Sequence, residues 1–465
     1  MLLCRVLAKL GFMAVTASTI PDSPVRPDEQ LKPLSQQSVT AFLPGPKIEN
    51  TSLLYTSLFL VGFLLRFGFI LLARTYVGSA ITSLPFGAEV GRLAAHIAAG
   101  VGFHSPFHDV DTGPSAWVAP VYPYLVAAAF RLFGSYSAAS ALILLGLQCA
   151  IAAATGVVIY KLGTRTLGER VAFWAAVIWT CSPIFFRWPT SLIWDFSASA
   201  FLLALTFLMT LDTGKKGTLS QWLGLGAIWG LIALTNPALL ALFPFSLLHA
   251  SWENYKAARR YFRRLSYAVI LFGALVSPWL IRNYLVFHRP VFLRDNYWFE
   301  FSMGNYHYSN GMGWSGKHPD VNPLYLHQVA QLGELGFIDY HKKEALDFVR
   351  RYPREFADLT LHRFWWFWDG TTIIYQANDW WQPWKYWPLS AMGWLGLFFA
   401  LTRRPRGWVL YGAALLVYPL PYYLAYPHHR YRHAIEPELL LLSVYLASVL
   451  WGEVARIFAP KQLQP

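Results

Sequence analysis

Thr402-Arg403-Arg404-Pro405-Arg406 and Pro427-His428-His429-Arg430-Tyr431-Arg432-His433 interrupt three apolar runs, 386–402, 406–425 and 434–453. These interruptions decide how the chain is threaded. Three membrane crossings in series put the two intervening clusters on opposite faces. Cytoplasmic loops carry the excess of Lys and Arg, which assigns 402–406 to the cytoplasm and leaves 427–433 on the outer face against the usual bias. Basic residues kept on the unfavoured side call for an anionic ligand. Arginine forks suit bidentate phosphate binding, and Tyr426 and Tyr431 flank the cluster. Anionic lipid headgroups are the less specific partner for such a segment.

Composition agrees with a polytopic helical membrane protein. Of 465 residues, 55% are hydrophobic, 17% aromatic and 14% charged, and apolar stretches of about twenty residues recur. The net charge of +13 invites a nucleic-acid reading. Most of that excess lies in short loops, where it orients helices, so no nucleic-acid partner is expected. Cys4, Cys149 and Cys181 have neither metal-ligand spacing nor a disulfide pattern and read as packing residues. Residues 1–50 differ from the rest: a short apolar run with Arg5 and Lys9 lacks a small-x-small cleavage site, and Pro21 to Asn50 is polar. They read as a disordered cytoplasmic tail rather than a cleaved signal.

Working back from the C-terminus, the candidate spans are 52–75, 137–160, 170–186, 192–212, 219–235, 237–251 and 265–286, with the three runs above. The apolar stretch 118–134 is read as an outer-face interfacial or re-entrant helix. That choice gathers Lys161/Arg165/Arg170, Lys215/Lys216, Lys256/Arg259/Arg260/Arg263/Arg264 and Arg403/Arg404/Arg406 inside together. Asn236-Pro237 splits 219–251, because proline removes a helix donor. The expected fold is an all-α bundle of about ten transmembrane helices with both termini inside. Its parts are the tail 1–50, an N-terminal transmembrane module 51–286, an outer loop region 287–385 with short helices, and C-terminal transmembrane helices 386–465. Within the loop, Leu324 to Leu335 and Asp339 to Tyr352 have helical spacing, and Pro353 ends the second. Phe364-Trp365-Trp366-Phe367-Trp368, Trp380-Trp381 and Trp384 read first as an interfacial belt and second as a stacking platform for sugar.

Few carboxylates lie on the outer side near a span. Glu89 follows the first span, with Arg92 one turn on as an available ion-pair partner. Asp195 opens a crossing, where helix capping is the bland alternative. A carboxylate beside a dehydrating helix end needs a partner or water. Arg282 closes the span 265–286, followed by Arg289 and Arg294. A base facing a basic site for a lipid phosphate suits group transfer from a lipid-linked donor to an acceptor hydroxyl or amine.

Several motifs, in order, resemble the C-type glycosyltransferase superfold, particularly the bacterial relatives of protein O-mannosyltransferases and the aminoarabinose transferase of lipid A. They are Glu89, Gly100-Val101-Gly102-Phe103, Thr112-Gly113-Pro114, Pro120-Val121-Tyr122-Pro123, and Pro278-Trp279-Leu280-Ile281-Arg282-Asn283. Glu300 with Gly304-Asn305, His318-Pro319, Gly333-Glu334 and Arg430 to Pro437 continue the series, and the resemblance covers about residues 52–455. It implies a multi-pass protein of the cell (inner) membrane, working at its extracytoplasmic face. The implied reaction is inverting transfer from a polyprenyl-phosphate-linked sugar to a glycan, lipid or protein acceptor. It further implies Glu89 as base and Asp195 as the second acid. Arg430, Arg432, His429, His433 and Arg282 would hold the donor phosphate, and Tyr122, Asn305 and His318 would line the substrate pocket. Many relatives carry Asp or Asp-Glu where this chain has Ala88-Glu89, so paired metal ligands are missing. No cofactor or metal is expected, although a divalent cation is compatible. A lipid-linked glycan polymerase or ligase, and a transporter or flippase, are the rival functions; a transporter would place ionisable groups at the midplane, where Arg66 is the nearest candidate.

Overall fold

The apolar runs form helices because their lengths match a bilayer and their ends carry caps. Asn50 accepts the Leu53 N–H to start Thr51–Ala73, Ser137 accepts the Ser140 N–H to start Ala138–Thr166, and Thr218 with Gln221 forms a capping box before Leu219–Thr235. The computed structural model describes residues 48–77, 85–252, 258–313, 315–371 and 382–458. Among them there is no β-strand, only an isolated antiparallel bridge between His104 and Pro114.

Five helices are long and apolar enough to cross a membrane: Thr51–Ala73, Ala138–Thr166, Phe196–Lys215, Phe262–Phe287 and His429–Val454. Glu169–Cys181, Leu219–Thr235, Pro237–Trp252, Gln382–Arg403 and Trp408–Leu424 are helical over the remaining expected spans. The break at Asn236-Pro237 is present: the first helix ends at Thr235, and the Asn236 side chain accepts the Ala238 N–H to open a 3-10 turn. Phe196–Lys216 runs through the bundle centre, beside a core containing the fully buried Trp179, Trp222 and Trp229. Arg66 is also fully buried, but its guanidinium donates to the Gly62, Trp179 and Thr180 carbonyls and is spent on structure. Cys149 packs in the interior, whereas Cys181 is exposed at a helix end and is not the packing residue expected.

A second core joins the two long connections. Ala88–Ala98 packs on Val121–Phe133, and Phe103, Trp117, Phe299 and Phe337 bury against one another. Arg282 ties the first connection to the end of its helix, donating to Ser115 O at 2.7 Å and Phe103 O at 2.9 Å. Glu334 accepts the Ala116 N–H at 2.5 Å. Burial, followed by the nearby Asp295, pushes the Glu334 carboxyl well above its ordinary range. The two helices expected at 324–335 and 339–352 are one element, Pro323–Arg351, broken at Gly333, and Pro353 opens the next helix, Pro353–Asp369. In that helix Phe367 and Trp368 are buried while Trp365 is exposed. Trp380 and Trp381, the tail 1–47 and the side chains of Lys256, Arg259 and Arg260 lie outside the described residues.

Candidate active site

Glu89 is delivered by the first turn of Ala88–Ala98, where the helix dipole favours a carboxylate. Gly87 precedes it at φ +67°, and a Cβ there would meet the Trp194 ring at 2.8 Å, so only glycine lets the turn close against Trp194. Arg92 does not pair with Glu89; it binds Asp320 at 2.7 and 2.8 Å. The partner of Glu89 is His318, with Nε2 3.1 Å from Oε1 and both side chains about one-sixth exposed, at 16% and 15%. Burial pushes the Glu89 carboxyl up, but the hydrogen bond and charge of His318 outweigh it, with its own backbone bond and Arg430 assisting, and hold it down to about 2. Burial lowers His318 in turn, and the Glu89 carboxylate more than restores it, leaving the imidazole raised.

Glu89 and Arg430 line one cavity of about 760 Å³. Arg187 and Arg294 line it too, as do Trp117, Trp188, Trp194 and Tyr297. The rings that line this cavity are therefore these and not those of 364–368. Arg430 donates from Nη2 to Tyr431 Oη at 3.0 Å, and its buried Nε–H has no partner among the described residues. Three guanidiniums lining one cavity form a site for an anion.

The other residues singled out from the sequence lie elsewhere. Arg432, two positions from Arg430, is fully buried and donates to Trp368 O, Ser390 Oγ and Glu436 Oε1. His429 packs at a tilt against Trp188 and Tyr386, and His433 stacks on Trp179 and bonds Glu436 at 2.6 Å. Arg282 is the loop clamp described above. None of these four lines the cavity, because each is occupied by backbone, carboxylate or ring partners inside the packed core. Tyr122 donates to Gln148 at 3.3 Å, and Asn305 donates to Phe301 O and Leu424 O and accepts from Arg363, so both are framework residues. Asp195 occupies the N-cap position of Phe196–Lys216 without a side-chain cap bond. It lines a separate chamber of about 30 Å³ behind the cavity wall, shared with Arg294, Arg430 and Tyr422. That is room for about one water.

Among the described residues, Glu89, His318 and Asp320 could together hold a metal ion, their ligand atoms lying within 4.8 Å of one another. Two carboxylates and an imidazole suit a divalent cation. Arg92 already occupies Asp320, so a cation there would compete with the guanidinium.

The sequence model of the family described as dolichyl-phosphate-mannose-protein mannosyltransferase matches residues 117–281. Among curated proteins, none matches the chain. Among solved structures, the Archaeoglobus fulgidus oligosaccharyltransferase in complex with zinc and sulfate has a TM-score of 0.47 at 14% identity, covering 86% of this chain and 49% of its own. The same organism's AglB, in complex with an inhibitory peptide and a dolichol-phosphate, has a TM-score of 0.45 at 13% identity, with coverages of 89% and 53%. ArnT from Cupriavidus metallidurans bound to undecaprenyl phosphate has a TM-score of 0.36 at 14% identity, with coverages of 85% and 77%. The chain spans about half the length of the oligosaccharyltransferases it matches. Through residues 117–281 the chain is similar to the dolichyl-phosphate-mannose-protein mannosyltransferases, glycosyltransferases of the C type.

Proposed function

We propose that the chain is a membrane glycosyltransferase that binds a polyprenyl-phosphate-linked sugar in the 760 Å³ cavity and transfers the sugar, with inversion, to an acceptor at the extracytoplasmic face. The observation that carries this reading is the placement of a carboxylate, Glu89, and a guanidinium, Arg430, on the same cavity.

An acceptor oxygen or nitrogen forms a bond to the anomeric carbon as the bond from that carbon to the phosphate oxygen breaks. The departing electron pair stays on the polyprenyl phosphate, where Arg430, with Arg187 and Arg294, stabilises the charge. Glu89 takes the acceptor proton. A carboxylate held at about 2 is a weak base, so it receives that proton late, after bonding to carbon has made the acceptor strongly acidic. Asp195 acts from behind the wall, as counter-charge to Arg294 and Arg430.

The test is transfer in proteoliposomes from a panel of polyprenyl-phosphate sugars. Glu89→Gln is expected to lose on the order of 10²–10⁴-fold in turnover while retaining donor binding. Turnover near the unmutated rate would remove Glu89 from the mechanism.

A further inference from the structure

Arg430 and Glu300 do not touch, yet they are joined by two phenols. Arg430 Nη2 donates to Tyr431 Oη at 3.0 Å, the Tyr431 and Tyr426 hydroxyls lie 3.2 Å apart, and Tyr426 donates to Glu300 Oε2 at 2.6 Å. Asn296 Nδ2 fixes the other carboxylate oxygen at 3.1 Å. Only one ordering of the hydroxyl protons satisfies every link. Tyr426 gives its proton to the carboxylate, so its oxygen must accept from Tyr431, whose oxygen is then free to accept from the guanidinium. Cation at one end and anion at the other polarise both O–H bonds in the same sense, which strengthens each link.

We propose that Glu300, Tyr426 and Tyr431 form a relay that positions Arg430 for the donor phosphate: an ion pair conducted through two phenols. The proposal rests on the reading of Arg430 as a phosphate ligand and extends it to residues that the phosphate itself need not touch. The relay also explains why Arg430 faces the cavity with donors to spare. Nη2 is anchored on the Tyr431 hydroxyl while the guanidinium itself lines the cavity. A direct carboxylate fork on Arg430 would consume two donors and leave the guanidinium neutralised. A charge held at the distance of two rings steadies the group and leaves most of its capacity for an incoming anion. Helix Tyr297–Gly304 and the segment 424–431 are clasped so that the relay keeps its length, because Arg363 donates to Gly304 O at 2.5 Å, to Gly311 O at 2.8 Å and to Leu424 O at 2.8 Å.

The experiment titrates the full-length protein in nanodiscs with undecaprenyl phosphate by native mass spectrometry, with melting temperature measured in parallel. Tyr426→Phe and Tyr431→Phe should each weaken binding by about tenfold, the effect of one lost hydrogen bond in a charged chain, at nearly unchanged melting temperature. The double variant should be no weaker than the weaker single, since a series relay is broken only once. Glu300→Gln, which keeps the acceptor oxygen, should lose less than Glu300→Ala. In transfer assays these variants should lower kcat as well as raise the donor KM, because Arg430 also stabilises the departing phosphate. Full affinity in both phenylalanine variants, or a double variant weakened by about the product of the singles, would overturn the relay. Arg430→Ala separates the two levels. Weakened binding in that variant with none in Tyr426→Phe sinks the relay alone, whereas unchanged binding in Arg430→Ala sinks the reading beneath it.

Discussion

His318→Ala tests how Glu89 is kept ready. In the unmutated site the carboxyl is held at about 2, against an ordinary 4.5, by an imidazole that outweighs the cost of burial. Remove the imidazole and burial becomes the strongest influence, opposed only by the backbone bond and Arg430. A hydrogen bond to a charged group contributes roughly 1.5–3 kcal/mol, and one pKa unit corresponds to about 1.4 kcal/mol. The lost bond alone therefore moves the carboxyl up by about one to two pH units, and the lost imidazolium charge adds to this. The sign follows from the mechanism: transfer requires the ionised form, so activity falls as pH drops through the carboxyl pKa. Between pH 4 and 8, about two units either side of neutral-acid conditions, the unmutated protein should show no acid limb from Glu89. His318→Ala should acquire one at the low end of that window, and His318→Asn, which restores an N–H donor without charge, should fall between. The assay is initial transfer rate against pH in proteoliposomes at saturating donor. Superimposable profiles for His318→Ala and the unmutated protein would refute the proposed coupling.

Arg430→Ala should weaken undecaprenyl phosphate by at least about tenfold without unfolding the protein, whereas Arg432→Ala, which strips a fully buried Glu436 of its guanidinium, should cost roughly 3–5 kcal/mol of stability; denaturation and binding measurements on the pair check both. Gly313→Ala should weaken the same ligand by displacing a ring, since a Cβ at Gly313, which lies at φ +68°, would come within 2.5 Å of Tyr426; an unchanged affinity would show that the ring has room to move. Arg92→Ala leaves His108 as the only side chain bonded to the Asp320 carboxylate among the described residues and should tighten divalent-cation binding by the Glu89, His318 and Asp320 group, read by equilibrium dialysis with zinc. Glu334→Gln keeps an oxygen to accept the Ala116 N–H and should leave melting temperature nearly unchanged, whereas Glu334→Ala should lower it; equal melting temperatures in the two variants would show that this bond does not hold the connection.

The bundle was legible because its determinants are local. Run length and the Asn236-Pro237 break act over a few residues, and the helices begin and end near them. The site was legible only in part, because its partners are distant in sequence and its faces depend on helix phase. His429–Arg432 is a helical turn, so Arg430 and Arg432, two positions apart, point to opposite sides. One reaches the cavity and the other the core, a division that a count of basic residues cannot make. Glu89 finds His318 rather than the neighbouring Arg92 because Asp320 captures Arg92 across the fold. Arg187 and Arg294 carried a faint signal, each being a cation at the edge of an apolar run. The aromatic density at 364–368 was the louder signal for sugar stacking, yet the cavity is lined by tryptophans from two other connections, Trp117 from one and Trp188 and Trp194 from the other.

A cryo-EM structure of the full chain in nanodiscs with undecaprenyl phosphate bound would bear most directly on the shared cavity. The phosphate should lie within hydrogen-bonding reach of Arg430, on the cavity side of Tyr431, with open volume for a sugar between it and Glu89. A phosphate seated away from Arg430, or one whose attached sugar would point away from Glu89, would contradict the account.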